Sequence, residues 1–201
     1  MFCKICQTRR PRRFCPAVDG QICSLCCGRE REVTLNCPLD CEYLREARKH
    51  ENPVPANPDE FPNQDIRVNE TFIHNNEELF LALGRTLMTA ALEIPGAVDN
   101  DVREALAALI RTHRSLQSGL IFETRPAAAE LCRRMQAAEA GFRRAETERL
   151  QSTKTRDLDV LGVLTFFQRL ELVRNNGRAR GRRFIDFLRG QLHVPSALAT
   201  P

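Results

Sequence analysis

A chain of 201 residues with 42% hydrophobic residues is long enough to bury a sizeable core, either as one domain or as a small module beside a larger one. Charged residues make up 28% of the chain and the formal net charge is +4, so the composition excludes the disordered and collagen-like classes. No stretch approaches the roughly 20 apolar residues that span a bilayer, and the N-terminal segment has no apolar signal-peptide core. We therefore expect a cytoplasmic protein without membrane segments.

The cysteines are concentrated near the N-terminus: eight of the nine lie between Cys3 and Cys41, and only Cys132 lies elsewhere. Their spacing is C-x2-C-x8-C-x7-C-x2-C-C-x9-C-x3-C. In a reducing compartment, clustered thiolates persist as metal ligands instead of pairing as disulfides. Eight ligands suffice for two tetrahedral four-thiolate sites, so we predict two Zn2+ ions per chain. We assign Cys3, Cys6, Cys23 and Cys26 to one ion and Cys15, Cys27, Cys37 and Cys41 to the other, although the spacing alone leaves the pairing open.

The sequence between the cysteines supports a compact module. Asp19 followed by Gly20 is the strongest short hairpin signal, and a turn at this point folds Cys15 back towards Cys23. The β-branched residues that follow predict a short strand from Val33 to Leu35.

A helix is expected to begin at Pro38, with Asp40 in its first turn and with Cys37 and Cys41 at its N-terminal end, where free amide groups favour thiolates. A closed four-thiolate site leaves no coordination position for a substrate, so structural zinc is favoured over a catalytic ion. An iron–sulfur cluster and redox-reactive thiols are the alternatives, although the ferredoxin run C-x2-C-x2-C-x3-C is absent. His50 is a further alternative, as a replacement for one of the cysteines.

The crossed order of the ligand pairs in residues 1–50 resembles the cross-brace and treble-clef zinc fingers, such as the RING and MYND types. Over nearly the full length, the chain resembles a family of uncharacterised bacterial proteins in the segments ICSLCCGREREVTLNCPLDCEYL, SGLIFETRP and RNNGRARGRRFIDFLR. The resemblance implies an N-terminal cysteine-rich zinc module and a helical C-terminal domain. It implies no activity.

The composition divides the chain into four parts. Residues 1–51 are expected to form the cysteine-rich zinc-binding module and residues 52–64 a proline-rich linker. Residues 65–194 are expected to form a helical bundle and residues 195–201 a disordered tail. The linker could instead pack as an extended strap along the bundle, with Phe61 as its anchor.

Apolar residues at helical spacing predict five helices after the linker. The first helix is expected to be capped by Asn75 or Asn76 and to end at IPG, and the second to cover residues 99–117. The third is expected to be opened by Thr124 and Pro126, the fourth to cover residues 157–175 and the fifth to begin at about Ala179. Short connections favour antiparallel neighbours. The predicted fold is therefore mainly α: a small double-zinc module followed by an up-and-down helical bundle of four or five helices.

The sequence contains no motif of a known catalytic type. There are no inward-facing Glu-x-x-His pairs, no nucleophile elbow, no Walker loop and no HExxH helix. His113 could pair with Glu104 or Glu123 as an acid–base couple, but a single histidine on an apolar helix face is more typical of a core position. Catalytic residues are therefore not assigned, and we expect the protein not to be an enzyme.

The densest basic run is RNNGRARGRR, which supplies a candidate nucleic-acid surface at Arg174, Arg178, Arg180, Arg182 and Arg183. A solvated arginine-rich face, or pairing with the acidic segment of residues 51–100, is the competing interpretation. The function that the sequence favours is a zinc-binding interaction or adaptor protein with an unknown protein partner. A nucleic-acid-binding protein and a thiol-based redox or metal sensor are the alternatives.

Overall fold

A computed structural model describes residues 2–51, 57–114 and 126–192. Within these ranges the protein is mainly helical, as predicted, with a cluster of cysteines at the N-terminus. The expected tail at residues 195–201 and the first part of the expected linker lie outside the described residues. The elements are β1 Arg13–Cys15, β2 Gly20–Ile22, α1 Ser24–Glu30, α2 Glu42–Arg48, α3 Glu70–Asn75, α4 Glu77–Glu93, α5 Asp99–Arg114, α6 Pro126–Leu150, α7 Asp157–Arg174 and α8 Arg183–Leu192.

The N-terminal hairpin forms where the sequence predicts it. Strands β1 and β2 pair antiparallel, with Phe14 opposite Gln21 and Cys15 opposite Gly20. A short 3-10 turn joins the strands, and Asp19 ends it in the left-handed region at φ 45°. A residue of this type tolerates that backbone because its short polar side chain bonds locally. The register places Cys15 opposite Gly20 at the turn end of the hairpin, whereas Cys23 follows Ile22 at the open end, so the expected folding of Cys15 back towards Cys23 is not seen.

Two local predictions in the module are wrong. Residues 32–34 form a turn in place of the strand from Val33 to Leu35. The amides of residues 33–35 all donate to the carbonyl of Glu30, at 3.1–3.2 Å, and are not available for a ladder. The helix expected at Pro38 begins later, at Glu42, because a turn in which the Cys41 amide donates to the Pro38 carbonyl comes first.

The five predicted helices after the linker all form, as α4 to α8, and they share one hydrophobic core. Helix α8 begins at Arg183, later than the predicted start near Ala179. The sequence did not reveal the short helix α3, which Asn69 caps through a bond from the Phe72 amide. Helix α3 lies tight against α7, since a Cβ at Gly162 would come within 2.3 Å of the Phe72 ring. Glycine is required here for close approach.

The end of the linker packs along the bundle as a strap. The Arg169 guanidinium on α7 donates to the carbonyls of Pro62, Asn63 and Ile66, at 2.6–3.4 Å. The Asn63 side chain donates to Gln168 at 2.8 Å, and Ile66 packs against the core. These bonds favour the strap interpretation for this segment. Its apolar anchor is Ile66, while Phe61 is half-buried.

A fully buried carboxylate, that of Glu32, joins the cysteine module to the bundle. It accepts hydrogen bonds from the Arg48 guanidinium at 2.7 Å, the Asn176 side chain at 2.9 Å and the Arg182 amide at 3.0 Å. Its own carbonyl accepts from the Arg180 amide at 2.8 Å. We call this set the Glu32 junction. Nearby, Leu39 of the module enters the hydrophobic core of the bundle.

The Glu32 junction yields the first prediction. Replacing Glu32 with Ala leaves the buried guanidinium of Arg48 short of one partner and leaves two N–H donors without an acceptor. Because truncating one member of a buried ion pair costs about 3 to 5 kcal/mol, we expect a loss of that order in the free energy of unfolding, measured by urea denaturation. The control is Glu46→Gln, which disrupts an exposed pair with Lys49 and should change stability little. Equal stability of the two variants would contradict the central role of Glu32.

Candidate metal centre

The first predicted cysteine set comes together in the structure. Cys3 and Cys6 lie in the N-terminal turn, Cys23 is the N-cap of α1, and Cys26 lies in the first turn of that helix. Their four sulfurs lie within 4.8 Å of one another, and all but Cys6 are buried. Zinc bound to four thiolates at about 2.3 Å separates the sulfurs by about 3.8 Å. The four residues therefore fit a tetrahedral metal ion with small adjustments.

Backbone amides point at these sulfurs. The Cys23 amide donates to Cys3 Sγ at 3.2 Å, and the Cys26 amide donates to Cys23 Sγ at 3.4 Å. Such bonds support ligating thiolates, as hydrogen bonds outside the ligand set do in known metal sites. Hydrogen bonds from Thr8 hold the pKa of Cys6 below its usual value, whereas burial and the neighbouring sulfurs raise that of Cys26. A cation bound to all four sulfurs would remove the cost of ionising the buried thiol.

The second predicted set is arranged more loosely. Cys15 ends β1, Cys27 lies in α1, and Cys37 and Cys41 flank the turn before α2. All four line one small, mostly apolar cavity, together with Ile22, Leu35 and Leu44. Among the described residues, their sulfurs do not form a second group with the 4.8 Å spacing of the first. Adjacent Cys26 and Cys27 therefore belong to different groups of cysteines.

Two arginines approach the second set directly. Arg13 and Arg31 donate to Cys27 Sγ at 3.6 and 3.8 Å. The Arg13 guanidinium also lies over the Tyr43 ring, 4.4 Å from its centroid. Two guanidinium groups therefore border the second set, and the geometry of its sulfurs is not that of a closed tetrahedron.

The arginine-rich segment that the sequence offered as a nucleic-acid surface lies at the Glu32 junction. Each of its five arginine side chains has a partner within the chain. Arg174 lies over the Phe187 ring, Arg180 donates to Asn36, and Arg182 donates to the Ala91 carbonyl. Arg178 donates to the Arg31 carbonyl, and both Arg178 and Arg183 pair with Glu51. The contacts of Arg178 and Arg180 cross between the module and the bundle. Most of the charge in this segment therefore serves intramolecular contacts.

His113 also has a different partner from those considered from the sequence. Its Nε2 lies 3.0 Å from the Glu139 carboxylate, and its side chain is 10% exposed. The Glu104 carboxylate instead accepts a hydrogen bond from the Asn100 side chain, and Glu123 lies outside the described residues. Burial raises the pKa of Glu139, but the bond to His113 and the charge of Arg143 outweigh it, so the pKa lies below its usual value.

The His113 cluster does not have the charge of a cation site. Asp157 lies beside His113 and Glu139, close enough for the three to suggest metal ligands. However, the Arg143 guanidinium pairs with Glu139 at 3.1 Å and with Asp157 at 2.7 Å. One positive group already bridges both carboxylates. The arrangement is an ion-pair network that ties α6 to α7 and holds His113 of α5.

A polar cleft of about 310 Å3 lies between the start of α5 and the segment after α7. The carboxylate of Asp99 borders it, and burial raises the pKa of this group to about 7. A shifted carboxyl group in a cleft is a candidate for acid–base chemistry. However, both oxygens of Asp99 accept amide bonds from the first turn of α8, from Phe184 at 2.9 Å and Ile185 at 3.1 Å. The group therefore caps a helix.

Within the part of the chain that the structure describes, no helix is long and apolar enough to cross a membrane. Comparisons with protein-family models, with curated proteins and with solved structures find no match to this chain. The resemblance to uncharacterised bacterial proteins and to zinc fingers stays a prediction. The function must therefore be argued from the cysteine sets and the surfaces around them.

Proposed function

We propose that this protein is a non-catalytic binding protein whose N-terminal module is held by two structural zinc ions and presents a surface to another macromolecule. The observation that carries the proposal is the approach of four cysteine sulfurs from two separate segments to within 4.8 Å. A module of about 50 residues buries too little apolar surface to fold unaided. The binding free energy of a metal ion would then supply its folding free energy.

The ligand chemistry supports a structural role for the metal. A set of four cysteines leaves no coordination position open for water or substrate. The amide bonds to Cys3 and Cys23 fix the sulfurs in place, which suits a rigid scaffold. The second set, around Cys27, supplies the other four thiolates of the proposed pair of sites. Binding of a metal ion there requires the sulfurs to move closer together.

The exposed surface of the module supports binding as the function. Four of the seven exposed large hydrophobic side chains in the described ranges belong to it: Phe2, Phe14, Leu25 and Val33. These side chains are a larger share of the module than of the bundle, and they supply apolar area that a partner would cover. The bundle exposes three, Leu81, Leu150 and Leu158, on a larger surface, and its apolar stripes face a single shared core. We therefore assign partner contact to the module and support to the bundle, in a cytoplasmic protein.

Metal content gives the second prediction. The native protein should contain two zinc ions per chain, measured by elemental analysis, and should lack the absorption near 400 nm that is typical of iron–sulfur clusters. Because Cys26 and Cys27 belong to different sets, Cys26→Ala and Cys27→Ala should each lose one ion and keep the other. Cys132→Ala is the matched control, since this half-buried thiol lies on α6, and it should retain both ions.

Two other results would count against this assignment. A native content of one ion would show that the second set does not bind metal. Loss of all zinc from both the Cys26→Ala and Cys27→Ala variants, with the helical circular dichroism signal intact, would indicate a single shared cluster.

Chelation gives the third prediction. Removal of zinc from the full chain should unfold residues 1–51 and release the Glu32 junction, because Glu32 lies between Cys27 and Cys37. In hydrogen exchange, the amides of Arg180 and Arg182, which bond to Glu32, should lose protection. The amides in the middle of α4 and α5 should stay protected, because their core does not depend on the metal. Unchanged exchange at Arg180 after chelation would contradict this coupling.

A further inference from the structure

Three arginines of the module differ from those at the Glu32 junction. Arg9, Arg10 and Arg12 are exposed, and their side chains make no hydrogen bond or ion pair with any residue that the structure describes. The neighbouring Arg13 turns inward to Cys27 and Tyr43. The contact with Cys27 therefore explains the position of Arg13 but not those of Arg9, Arg10 and Arg12. Their charge is available to a partner.

The backbone places two of these arginines in a row with an exposed aromatic ring. From residue 10 to residue 15, exposed and covered positions alternate: Arg10, Arg12 and Phe14 are exposed, and Cys15 is buried. Phe14 also borders the cavity of the second cysteine set, with about half of its surface open to solvent. The Arg12 amide donates to the Ile22 carbonyl at 2.9 Å and so extends the β1–β2 ladder by one residue. Side chains two positions apart on a strand share a face and are about 7 Å apart, which applies to Arg12 and Phe14. Arg10 precedes the ladder, across Pro11, and is exposed as well. We call Arg10, Arg12 and Phe14 the hairpin face.

The ring on the hairpin face is unusual for this protein. Phe14 is 51% exposed. Phe2 is 67% exposed and lies two residues before Lys4, whose amide donates to the Gln21 carbonyl. The other aromatic rings in the described ranges are buried or half-buried: Arg13 lies over Tyr43, while Phe80, Phe166 and Phe167 contact one another in the bundle. An exposed ring beside unpaired guanidinium groups combines an apolar flat surface with positive charge.

We propose that the hairpin face binds single-stranded nucleic acid, with Arg10 and Arg12 on phosphates and the Phe14 ring stacked on a base. Unpaired arginines match the charge of a phosphate backbone, and an exposed aromatic ring stacks on bases of any sequence. A duplex keeps its bases stacked inside, and so would leave the ring unused. An acidic peptide would match the arginines but not the ring. The proposal rests on the proposed function, since the hairpin is held between Cys15 and Cys23.

The experiment uses the full-length, zinc-loaded protein and fluorescein-labelled 20-mers of oligothymidylate and oligouridylate. Fluorescence anisotropy across a salt series gives the dissociation constant and its salt dependence. The wild-type protein should bind more tightly than about 10 micromolar at physiological salt. The double variant R10Q/R12Q should bind more weakly and should reduce the slope of log affinity against log salt by about 1.4, or about 0.7 for each phosphate that is no longer neutralised.

Matched controls separate the hairpin face from general charge. R29Q/R45Q removes two other exposed, unpaired arginines of the same module and should keep most of the affinity and the slope. Phe14→Ala should weaken binding by about 5-fold to about 150-fold without changing the slope, as expected for the loss of one stacked base. Leu25→Ala removes an exposed apolar side chain elsewhere on the module and should have little effect.

Three results would overturn the proposal: equal losses of affinity in R10Q/R12Q and R29Q/R45Q, no loss in Phe14→Ala, or tighter binding to a polyglutamate peptide or to duplex DNA of the same length. The zinc content of each variant is measured alongside. Two zinc ions with no single-strand binding would refute the hairpin face as a nucleic-acid surface and leave the zinc-stabilised module intact. Absence of zinc would instead refute the proposed function itself.

Discussion

The burial of the Glu32 carboxylate is the constraint on which the joining of the two halves depends. A buried carboxylate is tolerable only if charge and hydrogen bonds compensate for lost water, and Glu32 obtains them from both halves. Arg48 comes from the module, whereas Asn176 and the Arg182 amide come from the segment after α7. The residue lies at φ 53°, in a turn held by the Glu30 carbonyl. The turn between Cys27 and Cys37 of the second cysteine set is therefore also a contact point with the bundle.

The same constraint explains how the arginines divide. Those after α7 lie where the module approaches the bundle, so they meet Glu51, Asn36 and the Arg31 carbonyl. Arg9, Arg10 and Arg12, before the hairpin, are exposed, and their side chains make no hydrogen bond or ion pair with a described residue. The two arginine clusters thus have different roles. The cluster after α7 lies at a helix end that the module covers, whereas the other lies just before β1, where exposed and covered positions alternate.

What the sequence predicts well is what depends on local patterns. The five long helices follow from apolar spacing, and the hairpin follows from Asp19 and Gly20. The first cysteine set follows from two C-x2-C pairs, and its sulfurs do approach one another. The predicted strand from Val33 to Leu35 was wrong because its three amides all donate to the Glu30 carbonyl. The partners of His113 and of the arginines were missed because they are set by tertiary packing, for which the sequence gives no signal.

The exposure of Phe2 and Phe14 could not be predicted from the sequence, and it bears on the function of the module. Phenylalanine predicts a core position when it falls on an apolar stripe, as Phe80 and Phe167 do. Phe14 follows no such stripe: it alternates with Arg13, which donates to Cys27 Sγ, and with Cys15, which is buried. The hydrogen bond from Arg13 to Cys27 Sγ and the burial of Cys15 fix which face of the strand is covered. The second cysteine set thereby determines that Phe14 and Arg12 are exposed together.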